Sequence, residues 1–64
     1  MMTTEQFTKA CTNAGYVAYS IGNTTFAKFG GDDVAEYTDG DKYALAVGRA
    51  FTDPTALEEA LKNI

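Results

Sequence analysis

Sixty-four residues with one cysteine, no histidine and a net charge of −4 describe one small domain over 1–64, with no intramolecular disulfide and no imidazole for general-base or transition-metal chemistry. A chain this short buries only about 60% of the surface its unfolded form exposes, and one core of this size supplies roughly 3–5 kcal/mol without a staple; with disulfide and metal set aside, a homodimer is the expected staple. The five basic residues, Lys9, Lys28, Lys42, Arg49 and Lys62, are dispersed, which argues against direct binding of nucleic acid or an anionic membrane.

The first element is a helix over residues 4–14. Thr3 followed by Gln6 fits a capping box, Phe7, Ala10, Cys11 and Ala14 form one stripe of a 3.6-residue period, and Gly15 stands where a left-handed cap is wanted. Two hairpins are predicted next. In "YVAYSIGNTTFAKF" the Gly22-Asn23 pair suits a type II′ turn and sets Tyr19 opposite Phe26 and Val17 opposite Lys28. In "VAEYTDGDKYALAV" Asp39-Gly40 suits a type I′ turn and sets Val34 opposite Leu45, Ala35 opposite Ala44, and Glu36 opposite Tyr43. A second helix follows, with Asp53 as N-cap, Pro54 at its first position and a stripe of Leu57, Ala60, Leu61 and Ile64. The expected fold is α+β, in the order α-β-β-β-β-α: an antiparallel four-stranded sheet with both terminal helices packed on it.

The sheet has two dissimilar faces. One carries Val17, Tyr19, Ile21, Phe26, Val34, Tyr43, Leu45 and Val47, and is the better candidate to receive the helices. The other carries Tyr16, Ala18, Ala27, Phe29, Ala35, Tyr37, Ala44 and Ala46; left uncovered it would be a flat apolar patch of the kind that marks an interface. Tyr16, Ala18, Ala27, Phe29, Ala35 and Ala44 are therefore the candidate dimer face. Alanines also permit close helix approach, so the two faces are open to exchange.

Residues 30–41, "GGDDVAEYTDGD", hold Asp32, Asp33, Glu36, Asp39 and Asp41, five of the nine carboxylates, with no lysine or arginine among them. A calcium loop does not fit: with Gly40 at the sixth position, Ala35, Tyr37 and Ala46 occupy ligand positions. Gly30-Gly31 is too short for a phosphate-binding loop and lacks the following Lys-Ser or Lys-Thr. No metal or cofactor is implied. Cys11 lies on an apolar stripe and has no histidine to activate it, so no enzymatic reading stands. Turn chemistry explains four of the five acids, since aspartate hydrogen-bonds its own backbone; what it leaves over is the sign. Such a charge near −5 at one end of the sheet, extended by Glu58 and Glu59 if the last helix lies nearby, attracts basic protein surfaces and orients them.

These residues imply a non-enzymatic binding module that engages a basic surface on a partner protein through Asp32, Asp33, Glu36, Asp39 and Asp41, with Tyr37 as apolar anchor. Basic surfaces are richest where proteins handle nucleic acid, so a small inhibitor mimicking nucleic acid is the concrete form of this reading. In size, acidity and lack of catalytic groups the chain resembles, as a class, small phage-encoded inhibitors of host defence, including anti-CRISPR proteins; no motif belongs to any such family. The alternative is a structural or assembly subunit that homodimerises through the Ala/Tyr face, its acids serving turns and solubility. No apolar run approaches a membrane span, and "MMTTEQF" lacks the basic and apolar regions of a signal peptide. With the lone thiol, these place the expected location in the cytoplasm.

Overall fold

The computed structural model describes residues 2–64. Helix α1 spans Thr4–Asn13. Its start is the reciprocal cap: the Gln6 backbone N–H donates to the Thr3 hydroxyl at 3.1 Å, and the Thr3 N–H donates to Gln6 Oε1 at 3.0 Å. Its end is a Schellman closure. Gly15 takes a φ of 96°, its N–H donates to the Thr12 carbonyl at 3.0 Å, and the Tyr16 N–H donates to the Cys11 carbonyl at 3.0 Å.

Five strands follow: β1 (Val17–Ile21), β2 (Thr24–Phe29), β3 (Asp32–Thr38), β4 (Ala44–Ala46) and β5 (Arg49–Phe51). Each pairs antiparallel with the next, giving one sheet in the order β1-β2-β3-β4-β5. Helix α2 (Pro54–Lys62) closes the chain; Asp53 caps it by accepting the Thr55 N–H at 3.1 Å. The fold is α+β, with the order α-β-β-β-β-β-α.

The first hairpin has the expected register, Tyr19 opposite Phe26 and Val17 opposite Lys28. Gly22 alone of the two turn residues has a positive φ, 61°, the signature of type II′. The second expected hairpin differs. Gly40 has a φ of 91° while Asp39 keeps a negative φ, and the Asp41 N–H closes onto the Thr38 carbonyl at 2.9 Å. That pattern is type II, not type I′, and such turns splay strands rather than returning them directly. Residues 39–43 therefore form a wider connection, and the register moves by two, to Ala35 opposite Ala46 and Glu36 opposite Leu45. The fifth strand comes from a tight turn at Val47-Gly48, whose φ angles of 47° and 74° are both positive.

The helices cover the face opposite to the one expected. Ala27, Ala35, Ala44 and Ala46 are buried with Tyr37 and Phe51 against Phe7, Ala10, Cys11, Leu57 and Leu61. The physical reason is complementarity of size: the helices bring the large side chains, and a row of sheet alanines lets them approach closely. The stripe of α2 stops at Leu61, because Ile64 lies beyond the last turn and is exposed.

Candidate functional site

The uncovered face of the sheet follows from strand alternation. With Ala18, Ala27 and Ala35 turned inward, Val17, Tyr19, Ile21, Phe26, Glu36 and Leu45 turn outward. Val17 and Ile21 are each 68% exposed and Leu45 is 52% exposed. Between them the Tyr19 and Phe26 rings stack with centroids 5.3 Å apart, and Lys28 Nζ stands 5.5 Å from the Tyr19 centroid. The Tyr19 hydroxyl reaches across β2 and donates to Asp33 Oδ1 at 2.7 Å. That bond, with the neighbouring carboxylate charge, raises the phenol pKa above its ordinary value. Asp33 is brought opposite Lys28 by a bulge in the β2–β3 ladder, which gives β3 one extra residue, Val34.

Beside this aromatic row the sheet opens into a groove. Strand β4 ends at Ala46, so β3 before Ala35 has no strand paired to it on that side. The resulting hollow, about 370 Å³, is lined by Asp33, Val34, Glu36, Leu45, Val47 and Ile64. At its rim Val47 holds a left-handed φ of 47°, a strained conformation for a β-branched residue. Its N–H donates to the Val34 carbonyl at 3.4 Å. Strain of this kind collects at functional surfaces.

The sequence-predicted residues are distributed differently from expectation. Asp32 and Asp33 begin β3, while Asp39 and Asp41 follow its end; seven strand residues put about 20 Å between the two pairs. The five acids are thus not one patch at one end of the sheet. Glu36 lies mid-strand on the outer face with Asp33 nearby in the groove wall. Asp39 serves structure: its carboxylate accepts the Thr4 hydroxyl at 3.1 Å and its N–H donates to the Asn23 carbonyl at 2.9 Å.

Tyr37 is no anchor for a partner. It is 2% exposed, stacks on Phe7 at 5.7 Å, and its hydroxyl donates between the carbonyls of Met2 at 2.8 Å and Asp41 at 3.0 Å. The candidate dimer face is likewise corrected. Ala27, Ala35 and Ala44 are buried under the helices and Tyr16 and Ala18 are half-buried; of that set only Phe29 is exposed, edge-on to Tyr16 at 5.5 Å. Tyr16 instead ties the helix layer down, donating its hydroxyl to the Leu61 carbonyl at 2.8 Å. Glu58 and Glu59 belong to α2, on the far side of the sheet from Glu36. Glu58 pairs with Lys62 at 3.0 Å and accepts from Asn13 at 3.3 Å, and those bonds hold its pKa below the ordinary carboxylate range.

Tyr43 lies in the β3–β4 connection rather than in a strand. Cys11 is fully buried, and burial pushes its thiol up to about 12, far from the range of a thiolate nucleophile. No group of three or more His, Cys, Asp or Glu side chains suited to a metal ion occurs among the described residues. Nor is any helix among them long and apolar enough to cross a membrane.

Comparison with protein-family models, curated proteins and solved structures finds no match.

Proposed function

We propose that this chain is a non-enzymatic binding module whose uncovered sheet face docks on a basic surface of a partner protein. The observation that carries this reading is the face itself. Five strands leave Leu45 and Val47 exposed beside the half-buried, stacked pair Tyr19 and Phe26, with the exposed carboxylates Glu36 and Asp33 next to them. Apolar anchors framed by charge are the usual anatomy of a protein interface. A net charge of −4 favours a basic partner and adds to association rate and orientation. The concrete form is a small acidic inhibitor that occupies a nucleic-acid-binding surface, working in the cytoplasm. No activated nucleophile supports an enzymatic reading: with no histidine in the chain, Cys11 has no imidazole to draw off its proton.

The test is affinity capture of a partner by wild type, by Glu36→Gln with Leu45→Ser, and by Asp39→Asn with Asp41→Asn. Capture that weakens with salt, fails for the first variant, survives in the second and is competed by nucleic acid is the expected result. Loss in the second variant alone would move the binding surface to the β3–β4 connection and overturn this one.

A further inference from the structure

A sheet with five strands in sequential order has two edges, and here they differ. Strand β5 is three residues long, carries Arg49 with its guanidinium carbon 4.9 Å from the Phe51 ring centre, and runs directly into Asp53-Pro54. Shortness, charge and a nearby proline all guard an edge against further pairing. Strand β1, Val17–Ile21, is five residues long and contains no charge, no proline and no bulge. It has none of these protections.

We infer that β1 pairs with β1 of a second copy of this chain, antiparallel and centred on Tyr19. The ladder determines which backbone groups are free. Counted from the Gly22-Asn23 turn, Ile21, Tyr19 and Val17 bond toward β2, so Ala18 and Ser20 direct their N–H and C=O groups outward. A register centred on Tyr19 sets Ala18 opposite Ser20 of the second copy and Ser20 opposite its Ala18, and all four outward groups of each strand find partners. Shifting the centre to Ala18 or Ser20 leaves some of them unpaired. The same register sets Val17 opposite Ile21 of the second copy, twice, on the outer face. These are two of the most exposed apolar side chains in the molecule, at 68% each, and aliphatic cross-strand pairs stabilise a sheet. Tyr19 does not obstruct the axis, because its hydroxyl is held by Asp33 two strands away. No carboxylate lies on β1 to repel its copy.

The pairing is independent of the partner proposed above; it would join two outer faces into one ten-stranded surface. A strand pair of this length buries less than the roughly 1,200 Å² of a standard interface, so the dimer dissociates on dilution.

Sedimentation equilibrium of the whole chain from about 10 µM to about 500 µM, spanning the micromolar affinities of small interfaces, should show a mass rising from monomer toward dimer. Ala18→Pro removes an outward N–H that the monomer does not use, and edge strands tolerate proline; Val17→Lys with Ile21→Lys places like charges across the same register. Both should remain monomeric with unchanged far-UV circular dichroism. Register is read separately: Val17→Cys with Ile21→Cys in one chain should oxidise to a covalent dimer, since opposed residues of this ladder type lie about 4.5 Å apart. Within one chain these two positions are about 13 Å apart and cannot bridge. Wild type monomeric at every concentration overturns the inference, as does equal cross-linking by Val17→Cys alone, which would indicate a different register.

Discussion

Two residues show how this chain divides structure from surface. Tyr37 spends its hydroxyl inside the molecule, tying the segment before α1 to the β3–β4 connection through the Met2 and Asp41 carbonyls. Tyr37→Phe keeps the ring on Phe7 but leaves the Met2 carbonyl without its donor; a buried group so orphaned costs about 1–3 kcal/mol. Urea unfolding should show the midpoint falling with an unchanged slope. An unchanged midpoint would mean that water replaces the phenol and that this tie adds little. Val47 is the opposite case. Its left-handed φ costs roughly 1–2 kcal/mol for a residue with a Cβ, whereas Asn-Gly is the preferred pair for a turn with two positive φ angles. Val47→Asn is expected to raise the urea midpoint by about 1 kcal/mol equivalent while weakening capture of a partner through the outer face. A lower midpoint would show that the valine contacts along the groove outweigh the strain.

At the scale of elements, both helices and the first hairpin were legible because their signals are local. A capping box, a C′ glycine, an Asp-Pro start and a Gly-Asn turn each act within a few residues of where they stand. The β3–β4 connection was not legible in detail. Asp39-Gly40 fits type I′ by composition, yet the φ of Asp39 is set by where β4 must go, and the Asp39 N–H is drawn to Asn23 in the neighbouring turn. Strand β5 was hidden because Val47 is a poor turn residue on propensity, overridden by its tertiary setting. The two sheet faces were ambiguous for a related reason. Hydrophobic patterning ranks Val17, Ile21 and Leu45 above alanine, but helices bearing Phe7, Leu57 and Leu61 need a shallow surface to rest on. Alternation showed which residues share a face; only packing shows which face is covered. The candidate site inherited that ambiguity, so Phe26, Leu45 and Val47 were read as core and Tyr37 as surface.

For the whole molecule, the buried core lies on the helix side and the outer side of the sheet is left exposed. A domain of this size has roughly 3–5 kcal/mol in hand, and truncating a fully buried leucine to alanine removes about 2–5 kcal/mol. Leu57 is fully buried between α2 and the sheet, so Leu57→Ala should abolish most of the far-UV circular dichroism at 25 °C in a single cooperative loss, as expected of a domain with one core. Leu45, half exposed on the other face, offers the matched control: Leu45→Ala should shift the urea midpoint by no more than about 0.5 kcal/mol equivalent, the scale of surface substitutions. The pair is informative because residue type and substitution are the same and only the side of the sheet differs. Comparable losses at both positions would mean that the outer face is itself packed in solution. A loss at Leu45 that grows with protein concentration would assign that packing to a second copy lying on the face rather than joined at the β1 edge.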